Sequence, residues 1–274
     1  MKHTALILVL AAAMAGCGGG KSTLGNPVPP VDPSGNWQLQ LASSGIGLGV
    51  TAVMNQVGAN VTASNIRFVG QPGGYTCNPI KPSLTAVVSN GTQMDGQLSD
   101  ASFGTISFTG QLSADGITFR GTYSGVTPNN CTDLPPSGSI QGTEIPSVTG
   151  TWAGTLQQVD SQGNPVGPAM PFSAQLAQND TNGTVSGSYS VTNSTCLTSG
   201  TFNVDQSKPW SYVSGYAFTF SLIDNNGLVD SVQVTASGGG VLGMDKSFSG
   251  SVSQDDSSSC DGSSNTAYTL KMSH

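Results

Sequence analysis

The chain has 274 residues, with 8 Lys or Arg against 15 Asp or Glu, a formal net charge of −7, and only 8% charged residues, where about 25% is usual. An acidic chain with two arginines lacks the electrostatic footprint for nucleic acid, so no nucleic-acid partner is expected. Its two histidines are His3 and His274, which excludes an internal Ser/His/Asp triad, a Cys/His pair and a histidine metal site.

The chain opens with Lys2 and His3, then an unbroken apolar run from Ala5 to Ala13. Nine residues are too few to span a bilayer and suit a signal-peptide core, assigned to residues 1–16. Met14-Ala15-Gly16-Cys17 follows. It resembles the lipobox of bacterial lipoproteins, with Met14 in place of the usual leucine. That resemblance implies that Cys17 becomes the mature N-terminus and carries acyl chains such as palmitate, a membrane anchor that needs more than one chain to hold. Gly18 follows the cysteine, which favours the outer membrane over the inner one. Residues 17–33 read as a Gly/Pro tether, flexible at first and extended at Pro27, Pro29, Pro30 and Pro33.

Four cysteines remain: Cys77, Cys131, Cys196 and Cys260. An even number in an exported chain points to two disulfides, with three possible connectivities. None lies in a close C-x-x-C pair, so a zinc site is not expected, nor is any other metal or cofactor.

The body is written twice. Ser34-Gly35-Asn36-Trp37 returns 115 residues later as Thr149-Gly150-Thr151-Trp152. Cys77 corresponds to Cys196 and Cys131 to Cys260, so each copy holds one pair and the expected bonds are Cys77–Cys131 and Cys196–Cys260. Each would close a loop of roughly 55–65 residues, worth about 4 kcal/mol by chain entropy. The expected domains are residues 34–145 and 149–273.

A smaller unit recurs within each copy: apolar, any, Gly, any, apolar, Ser. Met94-Asp95-Gly96-Gln97-Leu98-Ser99, Phe108 to Ser113, Phe119 to Ser124, Val185 to Ser190 and Phe248 to Ser253 all fit it. In a strand the two apolar residues and the glycine share one face, and the hydroxyls and amides share the other. Asn90-Gly91, Asp115-Gly116, Asn182-Gly183, Asn226-Gly227 and Asp261-Gly262 read as hairpin turns. No helical period stands out beyond the signal peptide. In the second copy strands are expected at 150–158, 171–179, 183–192, 199–206, 213–223, 228–236, 245–253 and 265–272.

The predicted fold class is therefore all-β: two tandem antiparallel up-and-down barrels of about eight strands each, closed to hide their edges. The alternative is a pair of β-sandwiches. The opening Gly-x-Trp followed by a meander resembles the lipocalin and avidin (calycin-like) barrels, carried in the second copy by Thr149 to Trp152 and by Val185 to Tyr189. The tandem layout is also similar to two-cysteine lipoprotein domains of environmental bacteria. A biotin site does not carry over, because this chain has only Trp37, Trp152 and Trp210. Trp37 and Trp152 are expected to plug barrel ends.

Chemistry is sparse. Asp115, Asp180, Asp224 and Asp261 sit beside Gly or Asn, as turn residues do. Asp95 lies within a strand and alternation turns it outward. Asp224 to Asp230 has a faint calcium-loop look, without the bidentate glutamate or flanking helices, and reads better as a hairpin turn. Trp210, Tyr212 and Tyr216 share one face of an extended stretch with no counterpart in the first copy. They are the candidate ligand or partner contact, or else pack on their own barrel or on the other domain.

The leading functional expectation is a non-enzymatic, lipid-anchored cell-envelope protein with a binding or structural role. A sharper form places a small apolar ligand inside a barrel, which needs a cavity above roughly 300 Å³; Leu39, Phe108, Phe119 and Tyr123 are candidates to fill that space instead. The expected partners are the membrane through Cys17 and a small apolar ligand, a glycan or an envelope protein. The alternatives are an envelope glycan-active enzyme using two aspartates, and an adhesin or assembly subunit.

Overall fold

A computed structural model describes residues 29–43, 46–69, 81–125, 136–205, 210–229, 232–254 and 266–274. Every regular element among them is a strand. The first eight are β1 (Gly35–Ser43), β2 (Ile46–Val57), β3 (Asn60–Val69), β4 (Ser83–Ser89), β5 (Gln93–Asp100), β6 (Gly104–Leu112), β7 (Thr118–Ser124) and β8 (Ser137–Ile145). Each pairs antiparallel with the next, and β8 returns to β1 to close a barrel.

Alternation drives the closure. In β4, Leu84, Ala86 and Val88 are buried while Ser83, Thr85 and Val87 are exposed. Inward glycines give room to rings on neighbouring strands. Gly96 stands opposite Phe108, and a Cβ there would lie 2.5 Å from the Phe108 ring and 2.6 Å from Ala86 Cβ. Only glycine lets a strand pass so close to a neighbouring side chain. The resulting core includes Trp37, Leu39, Leu41, Phe103, Phe119 and Tyr123, each large side chain worth about 1.5–3 kcal/mol of burial.

The second barrel is built from β9 (Gly150–Val159), β10 (Met170–Gln178), β11 (Val185–Val191), β12 (Ser199–Phe202), β13 (Tyr212–Ser214), β14 (Ala217–Val229), β15 (Val232–Leu242), β16 (Ser247–Gln254) and β17 (Ala267–Ser273). β17 pairs with β9 to close it. β12 and β13 pair along the same edge of β14, at Leu222 to Asp224 and at Ala217 to Thr219 respectively. They are two halves of one strand. The halves are tied where Ser211 N donates to Asn203 O at 2.7 Å. Nine strands thus occupy eight positions, and the expected pair of eight-position barrels is what the chain forms.

The two barrels match at the level of single hydrogen bonds. Trp37 Nε1 donates to Pro33 O and Trp152 Nε1 to Val148 O, both at 2.7 Å. Gly35 and Gly150, two residues before each tryptophan, have φ of 140° and 135°, where a side chain is strained. Both indoles are buried at the start of their barrels.

One turn expectation is corrected. Asn226-Gly227 is not a hairpin turn. β14 runs on to Val229, its register against β15 shifts between Ile223 and Leu228, and β15 begins at Val232. Asp224 is buried in β14 rather than in a turn and anchors a neighbouring loop (below). The irregularity after it absorbs the residues that sequence reading placed in a turn.

Both barrels turn apolar side chains inward and Ser, Thr and Gln outward, the reverse of a membrane-spanning barrel. No helix among the described residues is long and apolar enough to cross a membrane. Cys17, Cys77, Cys131 and Cys260 lie outside the described residues. In the sequence, Cys77 falls between β3 and β4 and Cys196 between β11 and β12. Cys131 falls between β7 and β8 and Cys260 between β16 and β17. Each pair thus occupies equivalent connections of the two copies.

Candidate functional site

The interiors are occupied by the protein's own side chains. In the second barrel a chain of rings crosses the core. Phe172 stacks on Tyr189 at 6.0 Å, Tyr189 meets Phe202 at 6.2 Å, Phe202 stacks on Phe218 at 6.2 Å, and Phe218 meets Phe248 at 5.6 Å. In the first, Phe108 meets Phe119 edge-on at 5.9 Å. Such contacts bring about 0.5–1.5 kcal/mol beyond burial. An apolar ligand would have to displace them.

The buried carboxylates serve loops. Asp100 accepts from Lys81 N at 2.7 Å and Ser102 N at 2.8 Å. Asp224 accepts from Thr198 N at 2.6 Å, Ser199 N at 3.2 Å and the Tyr189 hydroxyl at 3.3 Å. These anchors belong to different barrels. Burial, with Asp224 beside it, raises the Tyr189 phenol far above its usual range. Exposed turn carboxylates are held low by local hydrogen bonds: Asp115 by Ser113, Asp160 by Asn164, Asp245 by Ser247. Glu144 goes the other way. Partial burial raises its pKa first, and the charges of Asp180, Asp32 and Asp115 raise it further. Among the described residues no three His, Cys, Asp or Glu side chains gather as a metal site would require.

The richest polar geometry lies where the barrels meet. Asn36 is 1% exposed. Its Nδ2 donates to Gly215 O at 2.8 Å, and Gly215 N donates to its Oδ1 at 2.7 Å. One amide side chain thus reads both polar groups of one peptide residue across the junction. Gly215 opens the two-residue turn from β13 to β14 with φ of 58°, as a type II′ hairpin demands. The hydroxyls of Thr51 and Ser214 are hydrogen-bonded beside it. Ser64 Oγ donates to Thr181 O at 2.8 Å, and Asn65 Nδ2 donates to Asn182 O. The turns of the second barrel therefore rest on the outer wall of β1 to β3.

The aromatic candidates divide at this junction. Trp210 and Tyr212 meet at 4.8 Å, and the Arg67 guanidinium lies 4.3 Å over the Tyr212 ring. The stack joins the start of β13 in one barrel to the wall of the other by cation–π attraction. Tyr216 goes elsewhere and packs half-buried against the second core. Asn36, Thr51, Arg67 and Ser214 were not singled out by sequence reasoning. A signal was present in β2, where Gly47 to Met54 reads GLGVTAVM with almost no polar alternation. All eight residues are buried, because one face lines the barrel and the other lies under the junction.

The first barrel also carries a surface depression of about 610 Å³ on the outside of β3 to β6. Thr62, Thr85, Val87, Asp95, Gln97 and Ser107 line it, with the backbone of Ala86 and Gly96 between them. Asp95 does face outward, and it accepts hydrogen bonds from Thr109 Oγ1 and from Gln93 Nε2, the latter at 2.9 Å.

No family model and no curated protein matches the chain. Solved structures give remote likenesses. A protein of Bacteroides fragilis, assigned provisionally to the outer membrane, is 13% identical over 90% of this chain and 97% of its own, with a TM-score of 0.29. Intact Ap-TbpB, comprising N and C lobes, is 10% identical over 83% of this chain, with a TM-score of 0.26. This chain spans 63% of that one. At these values neither likeness fixes a shared architecture.

Proposed function

We propose that this chain is a non-enzymatic protein of the bacterial cell envelope, held to the outer membrane by lipid on Cys17, that presents the outer walls of two joined barrels to a partner. The observation that carries the reading is the division of labour between faces. The interiors are filled by packed rings, while the outer walls offer hydroxyls and amides and one of them is depressed. A ligand inside either barrel would compete with the core. A partner on the outside would meet hydrogen-bonding groups without disturbing it. Most of the described aspartates accept hydrogen bonds from their own loops and strands, which favours binding over hydrolysis. Disulfides Cys77–Cys131 and Cys196–Cys260 would tie equivalent connections of the two copies and suit an oxidising compartment.

The test is metabolic labelling of the full chain with an alkyne analogue of palmitate in a bacterial host, followed by membrane fractionation. Label should appear on the wild-type chain, and Cys17→Ala should lose the label and leave the membrane fraction. A wild-type chain that is unlabelled and soluble would overturn the envelope assignment.

A further inference from the structure

The wall of the first barrel that faces away from the junction is a lattice. Outward residues of neighbouring strands stand directly opposite one another, in three rows. Gln93, Gln111, Arg120 and Gln141 form one row across β5 to β8. Asp95, Thr109, Thr122 and Ser139 form the next, and Val87 and Asn60 extend it onto β4 and β3. Gln97, Ser107, Ser124 and Ser137 form the third, extended by Thr85 and Thr62. Rows lie about 7 Å apart and strands about 4.8 Å apart. The depression of about 610 Å³ sits between the second and third rows at their β3 to β6 end.

We infer that this wall binds a neutral glycan chain, laid across the strands with one end seated in the depression. The reading rests on the envelope binding role proposed above and names the partner class. The argument is chemical. Of the sixteen row positions, Asp95 and Arg120 alone are charged, and their signs are opposite. A polyanion or polycation therefore gains nothing from the wall as a whole, and an apolar partner finds only Val87. What the wall offers is closely spaced hydroxyls and amides, which both donate and accept. A glycan presents the same groups on its own surface. Asp95 supplies the strongest acceptor, since hydrogen bonds to a carboxylate are charge-assisted. Gln93 and Thr109 already fix its orientation, and the remaining lone pairs of its two oxygens can accept sugar hydroxyls. The opposite wall is unavailable, because β1, β2 and the later part of β3, from Ser64 to Arg67, carry the second barrel.

The test is calorimetric titration of the purified full chain in detergent with three neutral hexasaccharides: β-linked N-acetylglucosamine, β-linked glucose and α-linked glucose. At least one should bind. Asp95→Asn and Gln97→Ala should each weaken that binding about tenfold, while Ser173→Ala, on the second barrel, should leave it unchanged. Urea midpoints equal to wild type show that the variants fold. The inference is overturned if none of the three binds. It is overturned equally if binding survives both lattice variants intact, or if only an anionic glycan such as heparin binds. The purified chain is tested without reference to where it is held, so a failure here is distinct from a failure of lipid labelling at Cys17.

Discussion

Asn36→Ala removes the side chain that closes the junction, and its cost can be worked from four atoms. The wild-type amide donates to Gly215 O and accepts from Gly215 N, at 2.8 and 2.7 Å. Alanine leaves a buried peptide N–H and a buried C=O without these partners. Each orphaned group costs about 1–3 kcal/mol, and water entering at the edge of the junction recovers part, so about 2–4 kcal/mol is expected. The loss falls on the contact between barrels rather than on either core. Urea unfolding of Asn36→Ala, followed by tryptophan emission, should therefore show the two barrels melting apart, where coupling in the wild type draws them together. Trp210 stacks at the junction, so its emission should move in the earliest phase. Asn36→Asp separates the two bonds: it still accepts from Gly215 N but sets a carboxylate oxygen against Gly215 O, and should be at least as destabilising as alanine. If Asn36→Ala lies within about 0.5 kcal/mol of wild type, the level of an ordinary surface change, with an unaltered transition, the junction is not held by this amide.

Asp224→Ala deprives Thr198 N and Ser199 N of their acceptor. It should cost about 3 kcal/mol in denaturant unfolding, and Asp224→Asn, which keeps one acceptor oxygen, should restore more than half. Glu144→Gln tests the raised carboxyl. Its folded pKa lies above the ordinary 4.5, so the folded state holds the proton more tightly and the penalty for ionisation grows as pH rises from there through the folded value. Glu144→Gln should be more stable than wild type at pH 7 and lose that advantage below about pH 4. A stability gain that does not vary with pH would refute the assignment.

The fold was legible because its rules are local. Period-two alternation, inward glycines opposite rings, and Asn-Gly turns at Asn90 and Asn182, where Asn90 has φ of 48°, all act within one hairpin. The repeated Gly-x-Trp needed only an offset in the sequence to be seen. What was missed depends on distant partners. Asn36 reads as an ordinary outward polar residue, and only Gly215, 179 positions away, makes it a buried one. Asp224 reads as a turn residue because Asn and Gly follow it. Its role comes from the backbone of Thr198, on a different connection. Trp210 and Tyr212 were seen as a cluster, but the cation that caps Tyr212 comes from the other copy.

The junction also explains where the two copies differ. The first has a β-bulge in β3, where Asn65 and Ile66 together face Ala52 and Asn65 takes a φ of 49°. The equivalent pair in the second copy, β10 and β11, runs in unbroken register. In the second, one strand position is divided between β12 and β13, whereas β4, its equivalent in the first, is a continuous strand. These two departures from the repeat meet. Asn65, in the bulge, reaches Asn182 O, and Arg67, just beyond it, caps Tyr212 at the start of β13. A bulge re-aims side chains on an outer wall, and the division of the strand sets Trp210 and Tyr212 together at the start of β13. Placed in different copies they form complementary surfaces, which a tandem of two identical copies would lack. The differences between the two barrels are thus accounted for by the contact that joins them, which among the described residues leaves the far wall of the first barrel uncovered.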